Sequence, residues 1–442
     1  MLPNRNKLVN GKRTQIVRVA ILWEELLGWG SGKEYFPAIL DGYKWKCGDV
    51  IYEISTSKIF DKDIINGLLT TSRFHVLLAP GGGVGDVEAI VKGSNIRKKT
   101  QKWKKNISDF IKDGGGYVGI CGGSALITGL TTGNKRKTRT FLERRYDKSA
   151  IGVSCVTSYY NNLAFPLFYP FQNKYPEQIG ATAYVFSYAP GETVDGARIF
   201  ANGVPIDFKI SKDNPIFSDF PMDTERIRWW GGPALIVPKK PDREVKVLAR
   251  YPEKELSEDE TTKIFAWKYS GGIHGLIFSV FKGLKFIKAN KGSLRNLPLY
   301  SYFFAGDWKP SNKLIELNFS NKASMTAEIY PNKNNGRIIL CTGHPQYMIW
   351  WGGKIEEVNN TGFKCIATGF HQWKQIVPLS KEAIDEFTHS WWIVRRMVAW
   401  AAKIPDKDMP PIIKGQLTEK SKKILSSKIY WDGTILHQIS NI

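Results

Sequence analysis

Two short apolar runs in this chain stop at glycine clusters, and each is followed by a helix-like segment. Phe74-His-Val-Leu-Leu-Ala79 ends in Pro80-Gly81-Gly82-Gly83, and Tyr117-Val-Gly-Ile120 ends in Cys121-Gly122-Gly123. Between them, Trp103, Ile107, Phe110 and Ile111 recur at helical spacing across residues 97–113, and Gly114-Gly115-Gly116 stops the pattern. Strand, glycine turn, helix, repeated, is the rhythm of a parallel sheet with crossover helices. Ile16–Leu22 supplies a β-branched first strand, and Arg337-Ile-Ile-Leu-Cys341 a late one. Ligands in such sheets gather at the carboxyl ends of the strands. Both glycine turns are therefore expected to face one crevice.

The remaining pattern divides the chain. Residues 1–14 read as a polar lead-in and 15–404 as the α/β domain. Irregular insertions, rich in Pro and aromatics, fall at about 131–225 and 281–330. Arg226–Val237 reads as strands paired around a turn. Leu314–Phe319 and Met325–Ile329 read as a hairpin. Residues 381–403 carry a helical stripe of Ile384, Phe387, Trp391, Val394, Val398 and Ala401. Pro405, Pro410 and Pro411 then close the core, leaving 405–442 as a tail.

Chemistry concentrates at Gly119-Ile120-Cys121-Gly122-Gly123, a G-x-C-x-G between a strand and a helix. A nucleophile on a sharp strand-to-helix turn needs small neighbours, because its backbone is strained. The amino end of the following helix favours thiolate. A buried structural cysteine at a tight turn would give a similar local pattern. Backbone N–H groups of Gly82, Gly83 and Gly122 are the candidate oxyanion donors. Gly83-Val84-Gly85 lacks the rest of a dinucleotide loop. Of six histidines, His344 alone follows a strand through a Thr-Gly turn and precedes a proline, which puts it at a strand end as Cys121 is.

These motifs resemble the class I glutamine amidotransferases, which carry a PGG turn, a G-x-C-x-G elbow and a late His-Pro-Glu. The chain offers Pro80-Gly81-Gly82, Gly119 to Gly123, and His344-Pro345-Gln346. The likeness is nearest to the amidotransferase-like domain at the amino end of biotin–protein ligases. Trp229-Trp230-Gly231-Gly232-Pro233, Val247-Leu-Ala-Arg-Tyr251 and Gly336–Pro345 resemble three further blocks of that group. The resemblance spans roughly 16–403. It implies a three-layer α/β/α, flavodoxin-like fold with a mainly parallel sheet and β-rich insertions. It also implies a thiol amidohydrolase acting through a thioester, with Cys121 as nucleophile, His344 as base and Gln346 where the family has an acid. An amide can accept the imidazole Nδ1–H but carries no charge to stabilise imidazolium. Glu24 and Glu25, just past the first strand, are the alternative acids. The second expectation is a catalytically inactive binding or regulatory protein that keeps the crevice.

Composition bounds the partners. Lys and Arg number 63 against 41 Asp and Glu, a formal charge of +22. Such a balance suits nucleic acid, an anionic membrane surface or acidic ligands, or is a lysine-rich solvated face. No nucleic-acid module accompanies the basic runs at 92–105 and 135–148, so nucleic acid is not expected. Residues 1–14 lack the apolar core of a signal peptide, and no run of about 18 apolar residues occurs, so no membrane partner is expected. Five dispersed cysteines without C-x-x-C fit a reducing, cytoplasmic setting. No Walker A, H-x-H or H-E-x-x-H occurs, and neither metal nor cofactor is expected. The expected ligand is a small amide or an anion, with a separate synthetase as the partner if ammonia is transferred.

Overall fold

The computed structural model describes residues 6–9, 12–23, 32–81, 98–131, 151–159, 192–194, 197–199, 204–229, 232–252, 263–269, 272–289, 308–316, 321–332, 334–347, 356–357, 366–367 and 388–426, with isolated positions besides. The glycine-punctuated runs form strands as expected. The main sheet is built from β1 (Lys12–Leu22), β2 (Lys44–Cys47), β3 (Val50–Ile59), β4 (Val76–Ala79), β5 (Gly116–Ile120), β6 (Val204–Ile210), β7 (Thr224–Trp229), β8 (Val245–Arg250), β9 (Ala323–Ile329) and β10 (Arg337–Cys341). Their order across the sheet is β7-β6-β8-β9-β10-β5-β4-β1-β3-β2.

Five neighbours, β3-β1-β4-β5-β10, run parallel. Numbered by their order in the chain, they lie 2-1-3-4-5. Strands at both ends of this block join antiparallel. The sheet is therefore mixed, and the expectation of a mainly parallel sheet is corrected. Hydrophobic periodicity reads a strand's burial but not its direction, and two of the antiparallel additions, β6 and β9, come from segments that were read as insertions. Ala323–Ile329 in particular does not form a hairpin with 314–319. It pairs with β8 and β10, while Trp308–Glu316 pairs with Lys263–Tyr269 in a separate two-stranded sheet.

Alternate residues of the parallel strands feed two cores, one on each face. Val19, Ile21, Val76, Leu78, Val118, Ile120 and Ile339 share one with Phe36, Ile39, Trp391, Val394 and Val398. These last come from α1 (Gly32–Leu40) and α5 (Trp391–Ala401). Ala20, Leu77, Tyr117, Ile338 and Leu340 share the other with Trp103, Ile107, Phe110 and Ile111 of α3 (Lys98–Lys112) and Leu126 and Ile127 of α4 (Gly122–Ile127). The small α2 (Asp61–Ile65) adds Ile64 there. The strands read as nearly continuous apolar runs because both of their faces are covered.

Two terminal expectations change. The sheet begins at Lys12, inside the lead-in, where Asn6–Val9 pairs back onto it. Residues 405–426 are packed rather than trailing. Trp45 Nε1 donates to Asp408 O at 2.8 Å, Tyr52 Oη donates to Asp408 Oδ2 at 2.7 Å, and Arg395 Nη2 donates to Gln416 O at 2.7 Å. Ile404 and Met409 are buried. The prolines steer an extended path over the sheet edge instead of ending the core.

Candidate active site at the carboxyl ends of the central strands

The site grows from the register of β5 and β10. These strands are parallel neighbours, with Ile120 opposite Cys341. One residue beyond that register, Cys121 N donates to Cys341 O at 2.7 Å. The last act of strand pairing thus fixes the cysteine beside the turn that leads to His344.

Cys121 sits at φ 49°, ψ −112°, in the left-handed half of the map that β-carbon sterics disfavour. Its carbonyl accepts the first intrahelical bonds, from Ser124 N and Ala125 N. The Gly122 N–H, in the first turn, is left outside that helical ladder. The glycines of the motif are demanded by contact. A β-carbon on Gly119 would lie 2.6 Å from Gly123 O, and one on Gly123 would collide with Ala79 O. Two side chains then lock the turn. Ser124 Oγ reaches both Gly119 O (2.9 Å) and Cys341 O (3.0 Å), and Tyr117 Oη donates to Gly123 O at 2.6 Å.

His344 is buried and held from three sides. Its backbone N–H donates to Arg228 O at 2.7 Å, and its ring stacks on Tyr347 with centroids 4.9 Å apart. Gln346 Nε2 lies 2.9 Å from His344 Nδ1. An amide can turn either end to a ring nitrogen. With Oε1 inward it would accept Nδ1–H and leave Nε2 as the basic nitrogen. The Gln346 backbone is anchored in turn, since Trp391 Nε1 donates to its main-chain carbonyl at 3.1 Å.

Gly81 joins the two halves. A β-carbon there would sit 2.6 Å from Cys121 Cβ and 3.0 Å from His344 Cε1. The first glycine of the PGG turn is thus wedged between the Cys121 β-carbon and the imidazole. Sequence reasoning chose Gly82 and Gly83 and passed over Gly81, although the Pro-Gly-Gly run was the available signal. Gly82, Gly83, Glu24 and Glu25 lie outside the described residues, as do His371 and His437. Cys121, Gly122, His344 and Gln346 come together.

The tryptophan–glycine and Leu-Ala-x-Tyr blocks also converge here. Trp229 Nε1 donates to Gly232 O at 3.1 Å, and a β-carbon on Gly232 would strike Thr342 O. Tyr251 Oη lies 2.8 Å from Thr342 Oγ1 and donates to Pro233 O at 3.0 Å. Both blocks buttress the Thr342-Gly343 turn from behind. Burial holds the Tyr251 phenol well above its usual pKa, with the nearby Cys121 and Cys341 thiols adding to the effect.

The other histidines have different settings. His75 is buried, with Nδ1 accepting from Arg18 N at 2.9 Å; His389 faces Glu225 at 3.3 Å; His274 is exposed. Among the described residues, no group of three or more His, Cys, Asp or Glu could hold a metal ion. Burial pushes Cys341 up to about 12, and burial together with Glu328 pushes Cys155 up to about 12. Compared with known proteins, the chain matches no family model and no curated protein.

Proposed function

We propose that the chain is a glutamine amidotransferase-like thiol amidohydrolase of three-layer, flavodoxin-like architecture. The single observation that carries the reading is the strained Cys121, at a strand-to-helix turn, sharing Gly81 as a close neighbour with His344. The 2-1-3-4-5 order of the parallel strands, with helices covering both faces, supports the architecture.

The chemistry balances as an acyl transfer. His344 takes the thiol proton, and Cys121 Sγ bonds to the amide carbonyl carbon. The oxyanion that forms is met by the Gly122 N–H. Collapse breaks the C–N bond, and the amine leaves with the proton from His344. Water, deprotonated by the same imidazole, then cleaves the thioester to the acid and restores the thiol. The substrate is a small amide, with glutamine as the reference compound. Ammonia would pass to a separate synthetase. The free thiols support a reducing, cytoplasmic setting.

One observation favours a second reading, a crevice that binds without turnover: the group at His344 Nδ1 is a neutral amide. In a serine protease, exchanging the orienting acid for its amide costs about 10⁴ in kcat.

The test is site-resolved alkylation at neutral pH, read by mass spectrometry, with Cys341 as the internal reference. Cys121 should be the fastest thiol, and His344→Ala should slow it by about a hundredfold. A Cys121 rate no higher than that of Cys341, or one indifferent to His344→Ala, removes both the base and the enzyme. Fast alkylation without ammonia release from glutamine or other small amides selects the binding protein.

A further inference from the structure

Outside this site, the helix Gly272–Ala289 has an unusual face. Eight large hydrophobic side chains are exposed among the described residues, and five of them lie in this helix: Ile273, Ile277, Phe278, Val280 and Phe281. Ile273 is 75% exposed, Phe281 65% and Ile277 50%. Ile273, Ile277, Val280 and Leu284 follow i, i+4, i+7, i+11, one stripe along the helix, and Phe281 borders it. Exposure is therefore concentrated on one continuous surface. Scattered single hydrophobics need no explanation, whereas a contiguous apolar face does.

Charge decides what covers the face. Residues 261–306 hold seven Lys or Arg (Lys263, Lys268, Lys282, Lys285, Lys288, Lys291 and Arg295) and no Asp or Glu. Lys285 and Lys288 are exposed, Lys288 beside the stripe and Lys285 on the flank beyond Phe281. Leu294, just past the helix, is also exposed. Among the described residues, no helix is long and apolar enough to cross a membrane, so this one would lie in the interface plane rather than span. An apolar stripe bordered by lysines, in a segment without acids, is the composition of an interfacial helix on an anionic leaflet. A second copy would bring the same lysine-bearing, acid-free segment against itself. Nucleic acid would engage the lysines but not the aliphatic stripe.

We infer that Gly272–Ala289 is a monotopic membrane-surface helix. It docks the protein on anionic lipid through Ile273, Ile277, Val280 and Phe281, with Lys285 and Lys288 meeting the headgroups. The proposal revises the expectation of no membrane partner, and it is independent of the Cys121 site.

The experiment is co-flotation of the full chain with vesicles of phosphatidylcholine alone or of equimolar phosphatidylcholine and phosphatidylserine, at low and high salt. The chain should float with the anionic vesicles only, and salt should weaken the association. Ile277→Asp with Phe281→Asp should abolish flotation, and Lys285→Glu with Lys288→Glu should lower the partition coefficient by about tenfold or more. Both variants should keep the wild-type melting temperature and Cys121 alkylation rate, because the substituted positions are exposed and lie outside both cores. Three outcomes would overturn the proposal. The first is no anionic flotation. The second is flotation unchanged in either variant. The third is vesicle-free self-association that the Asp substitutions remove, which would assign the face to a second copy.

Discussion

At the scale of single residues, the site depends on what is absent at Gly81. Any β-carbon there must displace Cys121 or His344. Gly81→Ala should therefore cost about 1–3 kcal/mol of stability. It should also slow Cys121 alkylation much more than a surface substitution of equal stability cost, as a melt and a labelling time course on the same sample would show. Gln346 offers a second handle. Gln346→Glu places a carboxylate where 2.9 Å now separates amide and imidazole. If turnover is limited by the missing charge, amide hydrolysis should rise by an order of magnitude or more. Gln346→Ala, which leaves Nδ1 without an orienting group, should lower it. An equal fall in both variants would mean that the residue serves only to pack the turn. The elbow was legible in the sequence because its requirements are local: Gly119, Cys121 and Gly123 are neighbours whose sterics can be read from spacing. The choice among Gly81, Gly82 and Gly83 was not legible. It depends on which glycine the register of β4 against β5 brings over the thiol, and that is a contact between distant segments.

At the scale of elements, β5 and β10 carry the site and also groups that oppose ionisation. Cys341, in β10, is held up at about 12 by burial, from an ordinary value of 9.0, and burial holds Tyr117, in β5, well above its usual value. Each is an acid whose folded pKa exceeds its unfolded one. Folding thus favours the protonated form, and its stability contribution is complete below the unfolded pKa and lost as pH rises through the folded one. The denaturation midpoint should fall between pH 9 and about 12 from Cys341, with stability declining by roughly 1.4 kcal/mol for each pH unit in that window. Cys341→Ala should cost stability at neutral pH but flatten that alkaline slope. An unchanged slope would locate the loss elsewhere. The helix at 98–112 and four of the five parallel strands were legible because period and glycine stops agree, whereas β3 (Val50–Ile59) was not read from the sequence. Ala323–Ile329 was not, because nothing in its own residues says that it pairs with β8 and β10 rather than with its nearest neighbour in the chain.

At the scale of the whole molecule, segments far apart in sequence hold each other in place. Arg395 is fully buried and its pKa is lowered to about 10 by desolvation. It donates to Ile39 O and Gln416 O and lies 3.9 Å from the Tyr43 ring centroid. Deleting residues 405–442 would take away one of its carbonyl acceptors and uncover Trp45 and Ile404. The expected loss is about 1–3 kcal/mol from the unmet guanidinium donor, with the uncovered Trp45 and Ile404 in addition, set against a typical total of about 5–15. Trypsin resistance and a cooperative melt should both disappear. A truncated chain that still melts sharply would return 405–426 to the status of a tail. The sequence singled out the Trp229 and Tyr251 blocks without placing them beside His344, and the packing of 405–426 had no signal at all, because its three prolines read locally as an ending.

The lacing of the two ends also has a consequence for biosynthesis. Ala38 O accepts hydrogen bonds from Thr418 Oγ1 and Ser421 Oγ, more than 370 residues away in sequence. β1, β2 and β3 leave the ribosome long before residues 418–421, yet the sheet edge that β2 ends is not sealed until those residues emerge. During that interval Tyr43, Trp45 and Tyr52 remain available to other chains, and closing so long a loop is intrinsically slow. Cells making this protein should therefore depend on chaperone holding of the nascent chain, and the emergence of residues 405–426, rather than formation of the Cys121 elbow, should time the appearance of thiol reactivity.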